Sequence, residues 1–247
     1  MDITNLVSGI QYKIKNKNDI IQNTLLNGVQ WNEEIIEFIK TQIKEKNLKH
    51  FLNVGSHIGS VCLPISLHIE KVSAIEAYPP TYLHLCENII LNNLKNVYPY
   101  NIAVGNTTEN AYFMSENSVC PIENINRIAN NSGGMHVFSK NDIENKTRSS
   151  GLTDKKITGT IDKLDNLDID LFDIMLVDIE GYEYEFLLGS KTKITKNKPI
   201  IIIEIWNDGK RRMENMNTTQ SFIIQLICSF GYELVNNMGE DFIFFPR

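Results

Sequence analysis

The run P-I-I-I-I-E-I-W, residues 199 to 206, limits the fold more than any other stretch of the chain. Four consecutive isoleucines leave no polar face, so a strand made from them is covered on both sides, as in the middle of a parallel sheet. F-D-I-M-L-V-D-I-E-G (172–181) is a second run of this kind. Between and before these runs, strand and helix patterns alternate. H-F-L-N-V-G (50–55), K-V-S-A-I-E-A (71–77) and V-Y-P-Y-N-I-A-V-G (97–105) read as strands. S-V-C-L-P-I-S-L-H-I (60–69), Pro80 to Asn92, Tyr182 to Lys193 and Thr218 to Phe230 read as helices, with Pro64 tolerated near a helix start. Y-E-L-V-N and F-I-F-F-P close the chain as two strands, and N-A-Y-F-M-S-E (110–116) is expected to add a strand at an edge. The pattern predicts an α/β fold with a doubly wound, mostly parallel sheet.

Upstream, Ile35, Ile36, Phe38, Ile39 and Ile43 form a helical stripe over Asn32 to Lys46, with Asn32 as N-cap and Glu33 and Glu34 in the first turn. Residues 1 to 30 have no firm period and are expected to form an arm or a short helical cap. The chain is therefore divided into an N-terminal arm and helix, 1–45, and a main domain, 46–247. Residues 117 to 156 are rich in Asn, Ser and Gly, too long for a plain connection, and so point to a functional insert.

Ligands on such a sheet sit beyond the carboxyl ends of the strands. Gly55, Glu76, Ala103, Asp178 and Glu204 fall there. G-S-H-I-G (55–59) bridges the first strand and helix. Its spacing lacks the second glycine of a dinucleotide fingerprint, which argues against a nicotinamide dehydrogenase, and no G-K-[ST] follows to make a P-loop. Glycines and a helix N-terminus are expected to receive a carboxylate or a phosphate there. Glu76, about twenty residues on, stands where an acid takes ribose hydroxyls. Turn and acid in register predict S-adenosyl-L-methionine as cofactor.

The balance of 24 basic against 30 acidic residues gives a net charge of −6, which argues against nucleic acid as main partner. Cys62, Cys86, Cys120 and Cys228 form no C-x-x-C pair and read as free thiols of a reducing, cytoplasmic compartment. No signal peptide or membrane span is expected.

The motifs N-V-G-S-H-I-G, A-I-E-A-Y-P-P, E-N-I-I-L-N-N, N-I-A-V-G, G-T-I-D-K-L-D and V-D-I-E-G-Y-E-Y-E-F-L-L-G-S occur in that order. In this order they resemble the FkbM-family methyltransferases, over roughly residues 28 to 206. The resemblance implies a class I methyltransferase, Rossmann-like fold: a seven-stranded, mostly parallel sheet with an antiparallel last strand. It implies O-methylation of a sugar, glycan or other small hydroxylated molecule. Asn53 stands where the family usually has Asp, and Leu176 where it usually has Lys. The cofactor set implied is Asn53, Gly55, Ser56, His57, Gly59, Glu76, Ala77, Asn101, Ala103 and Asp178. A diverged, non-catalytic protein of this fold and an RNA ribose methyltransferase are the alternative readings.

Transfer to a hydroxyl benefits from a general base. Asp178 and Glu180 lie two apart after a buried strand, so an extended chain puts them on one side, where their closeness is expected to raise one pKa and make Asp178 the base or the cofactor-amine anchor, with Glu180 as partner. They are the catalytic candidates, with His136 of the insert as a third. Glu183 reads equally as a first-turn acid. Trp31, Trp206 and Asp208 are candidates for touching the acceptor. Oxygen ligands at Asp178, Glu204 and Asp208 would suit Mg²⁺, but no His or Cys cluster supports zinc and no metal is assigned. The acceptor partner is a small molecule or glycan; a homo-oligomer is compatible with the sequence.

Overall fold

Ile201, Ile202 and Ile203 are all fully buried, as are Met175 and Val177 of the second apolar run. A sheet buried on both faces organises the molecule. The structure is a computed structural model and describes residues 3–115, 135–138, 157–214 and 216–247. Its strands are β1 (Ile3–Val7), β2 (Ile10–Ile14), β3 (His50–Val54), β4 (Lys71–Ile75), β5 (Val97–Tyr100), β6 (Ala103–Val104) and β7 (Glu109–Ser115). They continue with β8 (Met135–Phe138), β9 (Ile157–Asp162), β10 (Ile174–Val177), β11 (Ile200–Glu204), β12 (Tyr232–Met238) and β13 (Asp241–Pro246). The helices are α1 (Ile20–Leu26), α2 (Glu33–Lys46), α3 (Cys62–Ser66), α4 (Pro79–Leu91), α5 (Glu183–Asn197), α6 (Asp208–Met213) and α7 (Gln220–Ser229).

The main sheet has seven strands in the order β12-β13-β11-β10-β3-β4-β5. β3, β4, β5, β10 and β11 run parallel, while β13 is antiparallel to both its neighbours. Period-two alternation sends successive side chains to opposite layers. Phe51, Leu176, Ile202 and Ile243 pack under the hairpin and helices α1 to α3. Leu52, Val54, Met175, Ile201 and Ile203 meet Phe186, Leu187 and Ile223 from α5 and α7. Each such side chain contributes about 1.5–3 kcal/mol on full burial.

Residues 1 to 30 do more than cap. Among them β1 and β2 pair as an antiparallel hairpin, with Ile10, Tyr12 and Ile14 turned into the core. Asn32 occupies the cap position of α2 in a left-handed conformation, φ 52°, and its side chain makes no cap bond. The 97–105 run is two strands rather than one. β5 ends at Tyr100, and β6 turns away to pair with β9 in a separate four-stranded sheet ordered β6-β9-β7-β8. Pro99, which has no N–H to give, fits because β5 is an edge strand. β7, expected at the main sheet's edge, lies inside this second sheet instead, between β9 and β8. Its partners come from sequence without clear period, so the pairing could not be read locally. Apart from 135–138, the insert 117–156 lies outside the described residues, as does Cys120. No helix among the described residues is long and apolar enough to cross a membrane.

Candidate active site

A cavity of about 320 Å³ opens at the carboxyl ends of β3, β4, β10 and β11. Gly55, His57, Glu76, Ala77, Ala103, Asp178, Glu180 and Glu204 line it. Trp31, Asn32, Ile20 and Ile21 border it from the N-terminal segment, and Tyr78, Ile102, Phe113, Tyr182 and Asp241 complete most of the remaining wall.

Gly55 sits at φ +83°, and a Cβ there would lie 1.7 Å from the Asp178 carbonyl oxygen. Glycine is required for two reasons, the left-handed backbone and the contact between two strand ends. The turn is not the open amide cradle expected from its glycines. The N–H groups of Gly55 and Ser56 both donate to the Ile75 carbonyl, at 3.0 and 2.9 Å, and that of Gly59 to Ser56 at 2.8 Å. The His57 N–H donates to Glu76 Oε2 at 2.8 Å. The helix that follows, α3, has only five residues and a weak dipole. The turn's inner amides are spent on tying β3 to β4.

Glu76 accepts a second backbone bond at Oε1 from Tyr78, 2.9 Å. Burial nevertheless outweighs both bonds and raises its pKa to about 7. Each oxygen keeps a lone pair for a ligand hydroxyl. Asn101 does not line the cavity; its Nδ2 donates to the Glu76 and Ala77 carbonyls and so props that strand end. Ser56 is also a scaffold, its Oγ bonded to the Asn53 carbonyl at 3.0 Å. Asn53 is 1% exposed, and its Oδ1 has no partner among the described residues. Leu176 sits beside it in register, buried in the same layer and away from the cavity lining.

The acidic end differs from the expected Asp178–Glu180 pair. Burial and, next, Glu204 raise the Asp178 pKa well above the usual carboxylate range, with Glu180 and Asp241 adding to it. The hydrogen bond between the two raises Asp178 and lowers Glu204. Burial raises Glu204 too, although Lys210 and the Trp206 Nε1–H, 3.0 Å from Oε2, oppose this. Asp241 is pushed up to about 6 by burial, Glu204 and Glu240. Strand β10 stops at Val177, and Glu180 takes φ +52°, so the extended-chain geometry that would pair it with Asp178 does not hold.

Glu183 is fully buried, bonded to the Gly181 N–H at 2.7 Å and to Arg211 at 3.1 Å, outside the cavity. Trp206 is buried behind Glu204, and Asp208 accepts from the Gln220 N–H, so neither borders the cavity. Asp208 thereby leaves the oxygen set considered for Mg²⁺, and no metal-holding group of three is found among the described residues. His136 lies in β8 opposite Met114; its side chain is outside the described residues. Asp241 was missed. The signal was its place at the start of the last strand, which, running antiparallel, begins where the parallel strands end.

The sequence matches the family described as Methyltransferase FkbM domain over residues 53–234. The crystal structure of methyltransferase FkbM from Methylobacillus flagellatus KT is similar, with a TM-score of 0.51 at 14% identity over 81% of this chain. This chain spans 44% of that protein's length. An O-methyltransferase from Bacillus cereus, solved in complex with SAH, is a remoter likeness: TM-score 0.45, 11% identity, 87% of this chain and 80% of that one. No curated protein matches. The strand order and the antiparallel last strand are those of the class I methyltransferase fold.

Proposed function

The chain belongs to the FkbM methyltransferase family, and from that premise we propose that it binds S-adenosyl-L-methionine and methylates a hydroxyl oxygen of a sugar, glycan or other small hydroxylated acceptor. One observation carries the reading: a single cavity joins the Gly55 turn, the buried Glu76 and the Asp178–Glu204 carboxyl pair. Glu76 is suited to two ribose hydroxyls, and Ala77, Ile102, Ala103 and Phe113 to an adenine face. When bound, the cofactor supplies a methyl group activated by its sulfonium for in-line displacement.

The residues of the chain do the rest. Carboxylates at the far end favour a cation beside them. Asp178 is hydrogen-bonded to Glu204 and so orients it, and a Glu204 carboxylate there is suited to take the acceptor's hydroxyl proton. Held geometry of this kind is worth up to about 7–11 kcal/mol of barrier. Calorimetric titration with S-adenosylhomocysteine tests the cofactor half, with Glu76→Ala as the variant expected to lose binding. A methyl-transfer screen over neutral sugars and glycans tests the acceptor half. No heat from the wild-type protein would end the reading.

A further inference from the structure

The turn at 55–60 is gripped from outside by residues that precede the family-matched region. Gln30 Nε2 donates to the Ser60 carbonyl at 2.7 Å, and Tyr12 Oη lies 3.4 Å from the Gly59 carbonyl. Asp19 Oδ2 stands 3.8 Å from His57 Nε2. Asp19 is fully buried and His57 only 7% exposed, so water screens little of what passes between them. Directly after Asp19, Ile20 and Ile21 reach the cavity, as do Trp31 and Asn32 after Gln30.

His57 needs such support. Its φ of +49° is left-handed, which costs a side chain with a Cβ about 1–2 kcal/mol. From inside the turn, Glu76 holds its backbone N–H. From outside, its ring meets Asp19. Strained conformations persist where the surroundings over-determine them.

We propose that Asp19 is a positioning residue: it holds the His57 imidazole, fixes the left-handed turn that presents Glu76 to the cavity, and so makes the segment 12–32 a working part of the cofactor site. In its effect on the cofactor this rests on the S-adenosylmethionine reading. Burial, the largest influence, and His84 lower the His57 pKa to about 4 against the opposing pull of Asp19. The imidazole is therefore neutral at pH 7. Asp19, 3.8 Å away and beyond hydrogen-bond reach, orients the neutral ring through its field on the ring dipole, while Glu76 accepts a hydrogen bond from the His57 main-chain N–H.

The competing account is that Asp19 merely caps α1, since its Oδ1 accepts the Gln22 N–H at 2.9 Å. Asn caps as well as Asp. Asp19→Asn therefore keeps the cap and removes the charge opposite the ring. Expected are faster amide exchange at Gly55–Ser60 in the unliganded protein, a lower His57 pKa by NMR, and S-adenosylhomocysteine affinity weaker by about tenfold. In a His57→Asn background, which tolerates the left-handed turn without the ring, Asp19→Asn is expected to have no further effect on exchange. An unchanged turn, or an effect that persists without the imidazole, overturns the proposal. Asp19→Ser, which also caps, serves if the Asn variant does not fold. A wild-type protein that fails to bind S-adenosylhomocysteine sinks the cofactor reading, while the exchange cycle still decides the role of Asp19.

Discussion

Glu204, the last residue of β11, stands directly across from Asp241, the first residue of β13. Like charges opposite one another on antiparallel strands are destabilising. The pair survives because neither is an ordinary carboxylate. A hydrogen bond from Asp178 lowers Glu204 against the upward pull of burial, and Asp241 is pushed up to about 6. The sheet thus carries an unfavourable arrangement at one end, and that end opens into the cavity.

Asp241→Asn should make the fold more stable at neutral pH. The folded-state pKa of about 6 is above the ordinary value of 3.8, so the folded protein binds more protons between these two limits. Stability contributed by this group is then full below the lower limit and is lost as pH rises through the higher one. Asn removes that loss. Urea unfolding from pH 4 to 8 should show a flatter profile and a gain of about 1–2 kcal/mol above pH 6.5. An identical slope in both proteins would mean that Asp241 is not titrating there.

Glu204→Gln should separate chemistry from binding. If Glu204 takes the acceptor's proton, kcat should fall by about 10²–10³-fold. Because Glu76 and the adenine wall are untouched, the affinity for S-adenosylhomocysteine should stay within about threefold. Stopped-time methyl-transfer assays and calorimetry check the two halves. A fall in affinity as large as the fall in kcat would instead assign Glu204 to the cofactor.

The sheet was legible because its strands are apolar throughout: four isoleucines in a row permit few other places in a fold. The order of acid-ended strands likewise pointed to Glu76 and Asp178. What stayed hidden depends on contacts distant in sequence. Nothing local in Y-F-M says that β7 pairs with β9, forty residues on. The hairpin of β1 and β2 was lost among polar residues, because only its Ile10, Tyr12 and Ile14 face alternates cleanly. Spacing along the chain points to Glu180 as the partner of Asp178, whereas register across the sheet supplies Glu204. The turn's amides looked free because the Ile75 carbonyl that takes two of them lies on another strand.

Gly55→Ala should be far costlier than Gly28→Ala. Both glycines have positive φ, +83° and +77°. At Gly28 nothing lies within 4 Å of an added Cβ, so only backbone strain of about 1–2 kcal/mol is expected. At Gly55 the Cβ would fall on the Asp178 carbonyl, part of the main chain, and two strand ends would have to part. A loss of at least about 3 kcal/mol should follow, read by denaturant midpoint. Equal losses at the two positions would refute the close approach of β3 and β10.

Binding of S-adenosylhomocysteine should release a proton near pH 6.5. Glu76 titrates at about 7 because burial outweighs its two backbone bonds. Ribose hydroxyls that donate to its oxygens favour the ionised form and lower that pKa. In the unliganded protein the raised value has its own consequence: the folded state binds the extra proton, so this group's contribution is full below the ordinary 4.5 and is lost as pH rises through about 7. Calorimetry in buffers of different ionisation enthalpy measures the protons released. Glu76→Gln should abolish the release, and a wild type that binds with none would remove Glu76 from the ribose.

Arg211→Met should be among the most destabilising changes away from the cavity. Glu183 and Arg211 are 0% and 1% exposed and lie 3.1 Å apart. Glu183 also holds the Gly181 N–H, and Arg211 bonds the Thr218 carbonyl and hydroxyl, so the pair ties the loop after β10 to the end of α6. Taking the guanidinium away leaves a buried carboxylate alone, at a cost of about 3–5 kcal/mol. Burial already raises the Glu183 pKa against the pull of Arg211, and without Arg211 it rises further. The variant should therefore recover part of its stability as pH falls and Glu183 takes up a proton. Adding Glu183→Gln removes the unpaired charge and should return about 1–3 kcal/mol at pH 7. Urea unfolding of the single and double variants at pH 5 and 7 measures both effects. A pH-independent deficit, or no recovery in the double variant, would locate the loss in the Thr218 bonds rather than in the ion pair.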